Sequence, residues 1–350
     1  MTRAPPDPPR RYVSAREVAE RAGVSRSAVS RTMTAGASVS VKTRRKVEQA
    51  ATELGYEVNI LARGLLDRHS PIVALLSSSI GSPFMSGLLP AVTAGLLERG
   101  LAPLLINVDT DPARLERFAS LGLQLRSAAT IFLSGSPPDG LVRKAIASGR
   151  PVIVLNRTAD GADRVTIDNS AVGAAACLAL VEAGAERPCV VLPARRTASM
   201  IEREHAFLAA CNARGLVAES ITAADNYGPR LTADYRAGQD VSVALFGRNQ
   251  PPDGIFCTND HLALGMMDAA RHTYGLKLPE QVSIIGCDDV PMASWDSYRL
   301  TTFRQDPATM AETLIGMLDR RLAMPDLPPA HHVVEAPIVW RNSVRRAPLG

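Results

Sequence analysis

Apolar and polar residues follow two different periods along this chain. From residue 13 to 56 the apolar positions recur at helical spacing. Val18, Ala19 and Ala22 share one face, Ala28 and Val29 a second, and Val47, Ala50, Ala51 and Leu54 a third. Ser14 with Glu17 three residues later predicts a capped helix start, and Ser25 and Ser40 predict two more. Gly23 supplies the left-handed turn between the first two helices. The spacing of Ala19, Gly23 and Val29 lets those two short helices cross steeply, as in a helix-turn-helix. A short segment with an interrupting Gly64 then runs to Ser70-Pro71, where a boundary is expected.

After Pro71 the texture changes. Short apolar runs (Ile72–Leu76, Leu104–Val108, Ala129–Leu133, Val152–Leu155, Cys189–Leu192, Gly254–Cys257 and Ser283–Gly286) predict strands. Helix-like stretches lie among them: Leu88–Arg99, Leu115–Leu125, Ala171–Ala183, Glu202–Arg214 and His261–Tyr274. Such alternation predicts parallel sheets covered by helices on both faces, and the number of strands calls for two lobes.

A length of 350 residues suits two or three domains. The formal net charge of +4 hides an asymmetry. Residues 1–68 carry 13 Lys and Arg against 7 Asp and Glu, whereas the remainder carries 26 against 28. A basic head on a near-neutral body points to a polyanionic partner for the head. No apolar run approaches a membrane span, and MTRAPPDPPRRY has no apolar core of a secretory signal. Cys177, Cys189, Cys211, Cys257 and Cys287 are odd in number and lack a C-x-x-C spacing. They argue against a disulfide framework or a zinc site and for a reducing, cytoplasmic setting. Residues 1–12, rich in Pro and Arg, are expected to be a disordered arm.

In a helix-turn-helix the second helix enters the major groove N-terminus first. That places Arg26 and Ser27 at base edges and Arg31 at a base or a phosphate. Ser25, Ser30 and the cluster Lys42, Arg44, Arg45 and Lys46 suit phosphate contacts. Ser14 and Thr43, at the starts of the first and third helices, complete the expected contact set of the head. Catalytic chemistry finds no footing. Dinucleotide, P-loop, nucleophile-elbow and zinc-protease motifs are missing from the sequence, and no cofactor is expected. His331-His332 is expected in a Pro-rich loop, and the adjacent carboxylates Asp288 and Asp289 are expected to point apart.

REVAERAGVSRSAVSR, VSVKTRRKVEQAATELGY and NILARGL, in that order and spacing, resemble the DNA-binding head of the LacI/GalR family of bacterial transcription regulators. The head departs at Ala28 and Thr34, where that family commonly has threonine and asparagine. The resemblance implies a multidomain protein with an all-α head and a two-lobed α/β effector domain similar to periplasmic sugar-binding proteins. The implied domains are residues 13–57 (head), 58–70 (hinge), 71–343 (effector binding and dimerisation) and 344–350 (tail). The first lobe is expected at 71–168 and 304–326, and the second at 169–303 and 327–343. In the hinge, the resemblance implies a helix ordered on DNA: Leu65 wedges into the minor groove, Ala62 sits at the hinge–hinge contact, and Asn59 and Arg63 flank them.

In the cleft, motif positions imply ligand contacts from Arg157, Arg203 and Asp260, with stacking from Phe84 and Trp295 and further contacts from Asn107 and Gln305. At Arg203 the motif departs from the family, with Glu204 and Ala206 in place of Leu and Gly. The expected function is a homodimeric repressor on a pseudo-palindromic operator, controlled by a small polar effector such as a sugar or sugar acid. A soluble sugar-binding transport component is the alternative, and it would need a signal peptide and no DNA-binding head.

Overall fold

The computed structural model describes residues 12–34, 36–57, 70–77, 80–107, 127–134, 139–228 and 233–346. The chain divides into two compact units, residues 1–70 and 71–350.

In the first unit, helices α1 (Ala15–Ala22), α2 (Arg26–Thr32) and α3 (Val41–Leu54) enclose a small core of Val18, Ala19, Ala22, Val29, Val47, Ala50 and Ala51. Each helix begins on the serine the sequence marks for it. Ser14 and Glu17 form a reciprocal capping box. Ser25 Oγ accepts from Ala28 N–H (3.2 Å) and Ser40 Oγ from Thr43 N–H (3.2 Å). Gly23 ends α1 at φ 65°. Arg21 on α1 and Glu53 on α3 pair at 2.5 Å across the core's rim.

The second unit holds two six-stranded sheets among the described residues. One has the order β11-β5-β4-β3-β1-β2, with β1 Ile72–Ser77, β2 Ala102–Asn107, β3 Ala129–Ser134, β4 Val152–Leu155, β5 Asp163–Ile167 and β11 His331–Val334. The other has the order β12-β10-β9-β8-β6-β7, with β6 Pro188–Leu192, β7 Glu219–Thr222, β8 Gly254–Cys257, β9 Ser283–Asp288, β10 Thr301–Arg304 and β12 Ile338–Val339. All pairings are parallel except β10 with β12. β1, β4, β6 and β8 are buried along their whole length, because helices cover both faces of each sheet.

The helices of this unit are α4 (Pro83–Glu98), α5 (Asp139–Ala147), α6 (Asn169–Glu182), α7 (Ala198–Asn212), α8 (Ala233–Phe246), α9 (Asp260–Asp268) and α10 (Pro307–Ala323). Two helix pairs pack through glycine. A Cβ on Gly173 of α6 would stand 2.2 Å from the Arg203 carbonyl oxygen of α7, and one on Gly265 of α9 would stand 1.9 Å from that of Tyr235 of α8. Leu115–Leu125, the expected helix after β2, lies outside the described residues.

The chain passes between the sheets three times: at Asp168, at Gln305-Asp306, and at residues 335–337. The third crossing corrects the expected lobe boundary. Residues 331–334 were expected in the second lobe, and His331-His332 in a loop. They form instead the parallel edge strand β11 on β5 of the first. Asp163 is the reason. It pairs with Arg321 at 2.7 Å and accepts from Ala330 N–H at 2.7 Å, which staples the residues after α10 onto the sheet edge. Arg321 also donates to the Pro325 and Pro328 carbonyls at 3.1 Å and to that of Leu327.

Candidate DNA-binding and effector sites

On the head, Arg26, Ser27, Ser30 and Arg31 all lie on the exposed side of α2. Val29 and Thr32 face inward, so the polar face is set by where the core is. Arg31 Nε donates to the Ser27 carbonyl (3.3 Å), and Ser25 Oγ and Ser27 Oγ share a hydrogen bond (2.9 Å). These bonds fix Ser27 in the first turn of the helix and Arg31 in its last turn. Thr43 is half-buried in the first turn of α3, where its hydroxyl accepts from Ser40 Oγ (2.9 Å). Lys42, Arg45 and Lys46 are exposed.

Arg44 is not a freely presented phosphate contact like its neighbours. Its guanidinium donates to the Thr32 carbonyl (3.1 Å) and the Ala37 carbonyl (3.5 Å), closing the loop between α2 and α3. Asn59, Ala62, Arg63 and Leu65 lie outside the described residues.

In the body, polar side chains gather where strands of both sheets end, the position at which open α/β sheets bind ligands. Arg203 of α7 is central. It is 2% exposed. Its Nε donates to Asn169 Oδ1 on α6 (2.9 Å) and its Nη1 to the Thr258 carbonyl after β8 (2.7 Å). Both acceptors are neutral, so among the described residues no carboxylate lies in ion-pair range of this buried cation. Asn259 caps α9 through Oδ1 to Leu262 N–H (2.9 Å) and donates Nδ2 to Asp234 Oδ2 of α8 (2.7 Å). Burial raises the Asp234 carboxyl above its ordinary pKa and lowers that of the neighbouring His261. At the end of β9, Asp288 accepts from Gln305 Nε2 (2.5 Å), and Asn156 Nδ2 after β4 donates to Gln305 Oε1 (3.0 Å). Burial lifts Asp288 to about 6, against the opposing pull of Arg203.

Asp260 corrects an expectation. It was expected to accept bonds from ligand hydroxyls. It is fully buried, and both oxygens are taken: Oδ1 by Thr302 Oγ1 (2.5 Å) and Oδ2 by Val290 N–H (2.9 Å). It braces β10 and the turn after β9 from inside. Burial, reinforced by Asp288, pushes its carboxyl up to about 8. The neighbouring carboxylates 288 and 289 do point apart. Asp289 is clamped between Arg304 (2.6 Å) and Arg341 (2.6 Å), away from Gln305.

The other expected contacts scatter. Arg157 is half-buried directly after β4, beside Asn156. Phe84 is half-buried in the first turn of α4 and packs on the core. Asn107 is exposed at the end of the edge strand β2. Trp295 is 56% exposed at the end of the 3-10 turn Pro291–Ser294. Sequence reasoning missed Asn156, Asn169, Asp234, Asn259 and Asp288. In the dipeptide Asn259-Asp260 it chose the second residue, whereas the first bonds Asp234 and the second braces β10. Neighbouring residues at a strand end face opposite ways, so one position decides which of them enters the site.

Residues 14–59 match the family model of bacterial regulatory proteins, lacI family, and residues 178–344 match a periplasmic binding protein-like domain. The HTH-type transcriptional regulator GalS of Salmonella typhimurium is 30% identical over 303 residues, covering 86% of this chain and 87% of that one. The chain belongs to the lacI family. As a lacI-family member it is a DNA-binding transcription regulator with a ligand-binding body. The ribose operon repressor of Escherichia coli K12 is 28% identical over 316 residues, covering 89% of this chain and 94% of the other. The fold matches that of the lac repressor dimer bound to operator and an anti-inducer, with a TM-score of 0.81 at 21% identity over 96% of this chain and 100% of that one. Among the described residues, no helix is long and apolar enough to cross a membrane.

Proposed function

We propose that this protein is a cytoplasmic repressor that binds a pseudo-palindromic operator as a homodimer and is released or recruited by a small polar effector, a sugar or sugar derivative, held between the lobes of its body. The observation that carries the DNA half is the exposed face of α2, with Arg26, Ser27 and Arg31 projecting from a capped, well-packed helix. Bidentate arginine–guanine contacts give about 1–3 kcal/mol of base discrimination. Two heads related by a two-fold axis demand two half-sites, which is why the operator is expected to be palindromic. In the hinge, Leu65 is the wedge residue, with Ala62 at the hinge–hinge contact and Asn59 and Arg63 beside them.

The effector half rests on Arg203. A buried guanidinium bonded only to neutral acceptors is stabilised by an oxygen-rich ligand, and Asn156 and Asp234, which join the same polar cluster through Gln305, Asp288 and Asn259, offer further donors and acceptors. Ribose, bound in a LacI family regulator structure of similar fold, and cellobiose, bound in the complex of another transcriptional regulator, belong to this chemistry. The test is a thermal-shift screen of sugars, sugar acids and nucleobases on the full-length protein. An effector raises the melting midpoint by mass action. Arg203→Met is expected to abolish that rise. A ligand that shifts wild type and Arg203→Met equally overturns the assignment of Arg203. Operator affinity with and without the hit then gives the sign of the coupling, which is reciprocal.

A further inference from the structure

Gln305 was expected to touch the ligand, but its bonds connect protein to protein. It sits in the second crossing between the lobes and is 3% exposed. Its backbone N–H donates to the Asp288 carbonyl (3.3 Å) and its Nε2 to Asp288 Oδ1 (2.5 Å), so the second lobe carries it. Its Oε1 accepts from Asn156 Nδ2 (3.0 Å), which belongs to the first lobe. An ionised carboxylate only accepts, so Asp288 dictates which way round the amide sits and leaves Oε1 for Asn156.

A second observation falls on the same residues. Asn156 holds φ 53°, Asp288 φ 136° and Asp289 φ 56°. Non-glycine residues seldom occupy this region, and such conformations persist where the surroundings impose them, often at switch regions. Both side-chain partners of Gln305 are in it. Among the described residues the buried Asn156 Oδ1 has no hydrogen-bond partner, and the bond of this side chain to the second lobe is the one to Gln305.

We propose that Gln305 is the positioning residue of lobe closure: its amide, oriented by ionised Asp288, joins the second lobe to the first through Asn156. This rests on the proposed function, in which an effector held between the two lobes controls DNA binding, and adds that the lobes close on it by hinge motion. The groups that face Asp288 are Arg203 from α7, Asp234 from α8 (with His261 beside it), Asp260 from α9, and Cys287 next to it in β9. Asp289 is held aside by Arg304 and Arg341. Protonation of Asp288 removes the charge that orients and strengthens the bond to Nε2. The joint therefore weakens as pH falls through about 6.

The test needs neither DNA nor effector, so its failure is separate from failure of the proposed function. All five native cysteines are buried, which lets nitroxide labels go to Ala147→Cys in the first lobe and Asn212→Cys in the second, both exposed positions. Double electron–electron resonance on the full-length protein then reads the interlobe distance at pH 7.5 and at pH 5.5. The closed population of the wild type is expected to fall about three- to tenfold relative to the open one at the lower pH. Gln305→Glu reverses the sign. A carboxyl opposite Asp288 needs one shared proton, so closure grows as pH falls. Asn156→Ala removes the joint without touching Gln305 and is expected to give the open distance at both pH values. A wild-type distance distribution that ignores pH overturns the proposal, as does a Gln305→Glu response parallel to wild type or an Asn156→Ala distribution matching wild type.

Discussion

Asp260→Asn is expected to make this protein more stable at neutral and alkaline pH. In the native state Asp260 keeps its proton until about pH 8, whereas in the unfolded chain an aspartate loses it near 3.9. Between those values the native state holds a proton that the unfolded state has released. Stability therefore falls as pH rises, by up to about 1.4 kcal/mol per pH unit. From pH 6 to pH 8 the loss is about 2–3 kcal/mol. For a body of this size that is about 5–10 °C in the melting midpoint. Asparagine has the same shape and no charge to bury. Its carbonyl oxygen still accepts from Val290 N–H, and its amide donates to the Thr302 hydroxyl, as the O–H of the neutral acid does in the wild type. The assay is calorimetric or fluorescence melting of both proteins from pH 6 to 8, and their difference cancels the titrating groups that do not interact with Asp260. The midpoints are expected to diverge as pH rises, with the variant higher at pH 8. Parallel curves, or a wild type that gains on the variant with rising pH, would show that Asp260 carries a charge in the native state and refute the reasoning. Asp260→Ala is the contrast. It strands the Val290 N–H and the Thr302 hydroxyl and is expected to melt below wild type throughout the range, by about 2–3 kcal/mol.

Gly286→Ala drives a methyl group to 2.1 Å from Asp260 Oδ1 and 2.9 Å from Leu300 Cδ2 and is expected to destabilise the body by about 2–4 kcal/mol; a wild-type melting midpoint would show that β9 shifts freely. Arg26→Ala on the exposed face of α2 is expected to relax preference at one base pair, and a binding-site selection that returns the wild-type motif unchanged would remove Arg26 from base readout. Leu65→Ala is expected to weaken operator binding more than binding to unrelated DNA; a constant ratio of the two affinities counts against the wedge. Arg44→Met is expected to lower the stability of the head by about 1 kcal/mol in the absence of DNA, measured by urea unfolding. Unaltered unfolding would return Arg44 to the phosphate contacts.

Local rules made the head legible. Ser14, Ser25 and Ser40 each satisfy N–H groups within three residues of themselves, and Gly23 turns the chain on its own backbone freedom, so nothing distant had to be known to place three helices. The same locality exposes Arg26, Ser27 and Arg31 once Val29 is assigned to the core. Arg44 escaped because its acceptors, the Thr32 and Ala37 carbonyls, become neighbours only when α3 folds back on the loop.

The body divides along the same line. Its strands were visible as apolar runs because parallel strands are buried on both faces. β11 was hidden, since a four-residue strand beside prolines has no period of its own and exists because Asp163 and Arg321 fasten it to β5. The sequence by itself determined the three capped helices, the basic surface of the head, the alternation that makes two α/β lobes, and the strand ends where polar residues collect. Only the tertiary structure decided which member of the Asn259-Asp260 dipeptide enters the site, that Asp260 braces rather than binds, and that Gln305 links one lobe to the other. The physical reason is range. Caps and periodicity are settled within a few residues of chain, whereas the bonds of Asn156 to Gln305 and of Asp260 to Thr302 join residues 149 and 42 positions apart, which only the packed sheets bring within reach.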